Sequence, residues 1–169
     1  MTEPPDFDRL FRSVTRSAAH LEMRDDYAGS PAFAAWREHR PYDRSGPDAA
    51  WHALVGSVVQ RGATVRRARI VSEPASDYIK FEHEVTPGAN LAAGEQVRWL
   101  PRRNASDLAL PGNDFWLFDG TAVLFNYFSG DGAAAGTELR DHPAVVRLCA
   151  TAFEAVWDRA VPHGDYRPA

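Results

Sequence analysis

The chain reads as an α/β (α+β mixed) protein, a small mixed β-sheet with helices on both faces behind a helical N-terminal segment. Three observations predict this. A helical apolar stripe over residues 50–59 runs directly into the β-branched segment TVRRARIV. Two apolar runs meet at Asp119-Gly120. A long amphipathic stripe closes the chain. Helix, strand, helix, strand, hairpin and helix in that order make one sheet with helices packed on it.

The length of 169 residues suits a single domain, 1–169, able to bury roughly 70% of its unfolded surface. Within it, residues 1–45 read as a helical extension packed on an α/β core over 46–169. Asp6 caps a segment with Phe7, Leu10, Phe11 and Val14 on one side. Ser30-Pro31 is an N-cap followed by proline at the first helical position. Residues 40–47 are turn-forming and read as loop.

From Pro47 the pattern sharpens. Ala50, Trp51, Leu54, Val55, Val58 and Val59 recur at helical spacing, and Gly62 suits a left-handed helix end, so a helix is expected over about 48–61. Residues 64–71 follow as a strand, with Val65, Arg67, Arg69 and Val71 on one face and Thr64, Arg66, Ala68 and Ile70 on the other. Tyr78, Ile79, Phe81 and Val85 predict a helix over 75–85 that Pro87-Gly88 stops. EQVRWLP after Gly94 has strand character. DFWLF and the run from Thr121 to Phe128, joined at Asp-Gly, form a hairpin whose first strand is apolar on both faces and therefore central. SGDGAAAG at 129–136 reads as a loop. Asp141 is the expected cap of a last helix carrying Val145, Cys149, Ala152, Phe153, Val156, Trp157 and Ala160.

Composition narrows the function classes. A net charge of −4 makes direct nucleic-acid binding through the phosphate backbone unlikely, even for the set Arg61, Arg66, Arg67 and Arg69 with Trp99 and Trp116. Neither a signal segment nor an apolar run of about 20 residues is present, so a cytoplasmic address without membrane contact is expected. The single cysteine, Cys149, leaves no disulfide framework and reads as a core residue. The six histidines include no i, i+4 pair, so no metal and no cofactor is expected. Glu82-His83-Glu84 reads as a solvated helix face.

Segments RIVSEPASDYIKFE, AGEQVRWLPR and DFWLFD resemble an uncharacterised family of small actinobacterial proteins encoded near helix-turn-helix regulators. That resemblance implies a DNA-binding regulator as partner and carries no activity. The order of helix ending in Arg-Gly, strand, helix, G-E-x-V-R-x-L-P and then F-W-L-F-D-G more distantly resembles half of a phospholipase D-like fold. In active members of that fold, His and Lys precede the aspartate. Here Gly112 and Asp114 hold those positions, so the nucleophile and the phosphate-binding cation are both absent.

Ligands collect beyond the carboxyl ends of strands in α/β sheets. The candidate binding residues are therefore Arg67, Arg69, Glu73, Tyr78, Glu95, Arg98, Arg102 and Asp119, expected to share one rim. They read either as a site for a small anionic ligand or as an ion-pair network fixing loops. The resulting expectation is a non-enzymatic sensing or interaction module in transcriptional regulation, for which a homodimer is also compatible. The alternatives are a biosynthetic enzyme with an Arg/Glu/Tyr/Asp site and a nucleic-acid-binding accessory protein.

Overall fold

In a computed structural model, residues 6–27 and 29–169 are described. Seven strands form one mixed sheet: β1 (Ser17–Glu22), β2 (Thr64–Val71), β3 (Gln96–Pro101), β4 (Phe115–Phe118), β5 (Ala122–Phe128), β6 (Ala134–Arg140) and β7 (Val161–Pro162). The spatial order is β6-β5-β4-β1-β2-β3-β7. Strands β1, β2 and β3 run parallel, and the others join antiparallel. The helices are α1 (Phe7–Ser13), α2 (Pro31–Arg37), α3 (Ser45–Gln60), α4 (Asp77–Ala89) and α5 (Pro143–Arg159).

Helix α5 covers one face. Its buried Val146, Cys149, Phe153 and Val156 pack on Ala19, Leu21, Ala68, Ile70, Leu100, Phe115 and Val123. The other face carries two separate apolar clusters. Phe11 of α1 and Val55 and Val58 of α3 lie on Ala18, Val65, Trp116 and Phe118 near the amino ends of the parallel strands. Tyr78, Ile79 and Phe81 of α4 lie with Val71, Val97 and Trp99 nearer their carboxyl ends. The ground between these clusters is polar, and it positions the candidate site.

Strand β2 and the β4–β5 hairpin stand as the pattern predicts, and Trp116 is buried in the central strand β4. Asp119 and Gly120 have φ of 51° and 69°, both in the left-handed region that a two-residue hairpin turn demands. Four expectations change. The segment before residue 45 is not only helical: β1 lies between β4 and β2 in the middle of the sheet, so residues 1–45 are not an extension laid on a finished core. Pro87 does not stop α4 at once: the helix runs two residues further, to Ala89, past a proline that costs it one backbone bond. His142 rather than Asp141 caps α5, its Nδ1 accepting from Ala144 N at 3.3 Å. Part of the glycine-rich segment belongs to β6, and only its first residues form the turn.

Candidate functional site

Strand register builds a charged stripe across the sheet. On the face below α3 and α4, His20 of β1 sits beside Arg67 of β2, and Glu22 beside Arg69. Glu95, at the entry to β3, and Glu82, on α4, complete the set. Arg67 donates from Nε to Glu95 Oε1 at 2.7 Å and from Nη1 to Glu22 Oε1. Arg69 donates from Nε to Glu22 Oε2 at 2.5 Å and from Nη1 to Thr86 Oγ1 at 2.7 Å, while its Nη2 lies 2.6 Å from Glu82 Oε2. Glu95 Oε2 also accepts from Asn90 Nδ2 at 2.6 Å and from Trp51 Nε1 at 3.1 Å.

A buried charge is tolerated only where paired and hydrogen-bonded, and each member here satisfies that condition. Burial pushes the Glu22 carboxyl up, but Arg67 and Arg69 outweigh it and hold Glu22 well below the ordinary carboxylate range. Burial likewise disfavours both guanidinium charges. Glu22 and Glu95 on Arg67, and Glu82 and Glu22 on Arg69, more than reverse this and fix both as cations. His20 points Nδ1 at Phe115 O, 2.8 Å away, and Nε2 at Glu22 Oε1, 3.2 Å away, and its ring stacks on Trp116 at 4.2 Å. Both ring nitrogens thus face acceptors.

Above the stripe opens a cleft of about 330 Å³ between α3 and α4, walled by Pro47 and Trp51 on one side and Val85 and Ala89 on the other. At its mouth Arg44 is paired with Asp48 at 3.0 Å. The Arg67 guanidinium lies 5.7 Å from the Trp51 ring centre and 5.4 Å from that of Trp116, within cation–π range of both. Among the described residues its Nη2 makes no hydrogen bond, and Arg67 lines the cleft. The lining of the cleft thus includes a guanidinium with one nitrogen free of hydrogen bonds.

Arg67, Arg69, Tyr78 and Glu95 come together, Tyr78 through its hydroxyl, which donates to Glu82 Oε1 at 3.1 Å. The other four candidates do not join them. Arg98 sits on the α5 face, because it pairs with Ala68 rather than with an arginine position, and it donates to Trp157 O at 2.9 Å. Asp119 follows the antiparallel strand β4 and lies at the other end of the strands, beside the amino end of β1. There it accepts from the backbone of Thr15, Arg16 and Ser17 at 2.7–3.2 Å, bonds that outweigh burial and lower its pKa. Glu73 and Arg102 are at the strand ends, apart from the stripe, where both line a pocket of about 320 Å³ with Ser72, Arg103 and Ser106. Glu73 meets Arg103 and Tyr166, and Arg102 meets Asp25, Ser72 and Met23 O.

Sequence reasoning missed Glu22, His20 and Glu82. Glu82 is no solvated residue, and the fourfold spacing Tyr78, Glu82, Thr86, Asn90 was the available signal, since it aligns all four on one side of α4. Nothing in SAAHLE marks Glu22. Of the proposed nucleic-acid residues, Arg67, Arg69, Trp99 and Trp116 are buried, and Arg66 is bonded to Glu154. Gly112 is exposed, whereas Asp114 is buried, accepting from Met23 N at 2.9 Å and from the Tyr27 hydroxyl. Burial raises the Asp114 pKa despite those bonds.

Fold and site together define a mixed α/β domain with a charged cleft on one face of its sheet. A family model described as a domain of unknown function, DUF6879, matches residues 5–168, and the chain belongs to that family. No curated protein matches it. Among the described residues no helix is long and apolar enough to cross a membrane.

Proposed function

We propose that the protein is a non-catalytic binding module whose α3–α4 cleft receives a single carboxylate, on a small molecule or a partner's acidic side chain, at Arg67. The unused Nη2 of Arg67, at the floor of the cleft, is the observation that carries this reading. Trp51, Val85 and Ala89 offer apolar surface to the body of such a ligand. A polyanion suits the cleft poorly, because Glu22, Glu82 and Glu95 already balance the cations beneath it. The other titratable groups of the floor hold one another, which supports recognition over acid–base chemistry.

The resemblance to proteins encoded beside helix-turn-helix regulators gives the module an output, with ligand occupancy changing its grip on such a regulator. Hydrolysis of phosphodiesters is not expected, since Gly112 is no nucleophile and the Asp114 carboxylate is occupied by Tyr27 and Met23.

Calorimetric titration with a panel of monocarboxylates tests the reading. The expected result is saturable binding to wild type that drops at least about tenfold in Arg67→Lys, which keeps the charge but loses the fork. Binding should vanish in Ala89→Trp, which fills the cleft without touching the ion pairs. A carboxylate panel that gives no binding, or binding indifferent to both substitutions, would sink it. Turnover of a fluorogenic diester in proportion to enzyme would refute the non-catalytic part.

A further inference from the structure

Strand β6 ends the sheet on one side, and all seven of its residues are exposed. The opposite edge is blunted by β7, two residues long and ending in proline. Edges left open usually carry proline or lysine, or twist away. β6 has neither residue, its two charges Glu138 and Arg140 are of opposite sign, and the irregularity at Tyr127/Phe128, with Gly136 at φ 124°, confines disruption to the turn end. Thr137 to Arg140 remain a regular, open edge.

The direction of its free groups follows from its neighbours. Asn126 N–H donates to Asp114 O at 2.9 Å, so the backbone of Asn126 is spent on β4 and those of Phe125 and Tyr127 turn toward β6. Phe125 pairs with Glu138 and Val123 with Arg140. The backbone groups of Glu138 and Arg140 are thereby used inside the sheet, and those of Thr137 and Leu139 point outward. Side chains alternate too. Leu139, 42% exposed, shares a face with Leu124, while Glu138 and Arg140 share the α5 face with Val123 and Phe125.

We infer that β6 pairs antiparallel with β6 of a second copy of this chain, centred on Leu139. Centring there sets Leu139 against Leu139, exchanging backbone bonds through their outward groups, and Thr137 against Asp141. Glu138 of each copy then faces Arg140 of the other, close enough for cross-strand ion pairs twice over. A twofold interface requires such self-complementarity. Within one chain Glu138 and Arg140 form an exposed pair at 3.1 Å, which gives up little when it exchanges partners, while the other carboxylate oxygen of Glu138 accepts from the Tyr127 hydroxyl at 2.5 Å. The contact is short, below the roughly 1,000 Å² of a permanent interface, so the dimer is concentration-dependent. This inference is independent of the cleft.

Sedimentation equilibrium of the full chain, from micromolar to about 1 mM, tests it. The expected mass rises toward twice 18.7 kDa. Leu139→Pro removes an outward N–H that the monomer does not use, and should leave a folded monomer. Arg140→Glu and Glu138→Arg should each be monomeric by like-charge repulsion. Mixing those two variants, or combining both changes in one chain, should restore the dimer. Charge variants that fold by circular dichroism keep the test decisive if the proline variant fails to fold. Wild type that stays monomeric throughout overturns the proposal and leaves the edge to a partner's strand. A dimer that survives the single substitutions, or a charge swap that fails to restore it, overturns the register.

Discussion

Glu22 accepts from two guanidiniums and faces the His20 ring, so its charge is the hinge of the buried stripe. Removing one partner of such a set leaves uncompensated charge in a low-dielectric region, which costs more than the pair contributes net. Glu22→Gln should therefore destabilise by about 3–5 kcal/mol, read as a shift in urea midpoint at neutral pH. A loss under about 1 kcal/mol would mean that the arginines find water in place of Glu22. His163 supplies a pH-dependent counterpart. Its Nδ1 accepts from Trp99 Nε1 at 3.1 Å, and an indole only donates, so the ring must be unprotonated there. Burial, then the neighbouring His83, Arg69 and Arg167, push its pKa down to about 4. A folded pKa below the ordinary value of about 6.5 means that the unfolded chain takes up the proton first. The stabilisation is complete above that value and is lost as pH falls toward 4. Urea melts at pH 7.5 and pH 5 should show this loss in wild type and a flatter profile in His163→Gln, whose amide oxygen can still accept from Trp99. Identical profiles would remove His163 from the account.

At the scale of elements, Trp116 joins the sheet to α1 and α3. It lies in β4 against Phe11 and Trp51, with ring centres 5.0 and 5.9 Å away, and Trp116→Ala should cost about 3–5 kcal/mol in a thermal or urea melt. A loss below about 1 kcal/mol would place the indole outside the core. That strand was legible because its apolar run ends at Asp-Gly, a signal contained within a few residues. Strand β1 was not, since Ala18 and Ala19 carry helix propensity, no residue in it is β-branched, and its extended form is imposed by β2 and β4 on either side. The same division holds for the site. Arg67, Arg69 and Glu95 were legible because alternation within β2 and the start of β3 orders them locally. Arg98 and Asp119 were misplaced because sheet register and the antiparallel direction of β4 are not written in either strand's own residues. Glu22 and Glu82 were invisible for a related reason: a carboxylate's burial depends on which cation another segment brings to it.

On the scale of the whole molecule, the two faces of the sheet are covered unequally. Four helices share one face, with the charged stripe between their clusters, whereas α5 covers the other with Ala105, Leu108 and Leu110 of the segment after β3 beside it. That face contains Leu21, Ile70, Leu100, Phe115 and Val123, each at most 1% exposed, and Phe153 and Val156 of α5 are fully buried against it. Cys149 lies in the same layer, where burial raises its thiol pKa to about 11 and keeps it inert. Each large aliphatic or aromatic side chain returned to water costs about 1.5–3 kcal/mol, so uncovering five of them costs about as much as the whole 5–15 kcal/mol that hold a typical domain together. Truncation after Asp141 should therefore abolish cooperative unfolding, not merely lower its midpoint. The truncated chain is expected to keep strand and helix signal in the far ultraviolet, lose its near-ultraviolet aromatic signal, and bind a hydrophobic dye, as a collapsed chain without fixed packing does. The decisive measurement is a thermal melt followed by near-ultraviolet dichroism. A single sharp transition close to the full-length midpoint would mean that α1 to α4 and the sheet form a self-sufficient unit, and that α5 covers a face the fold can leave open.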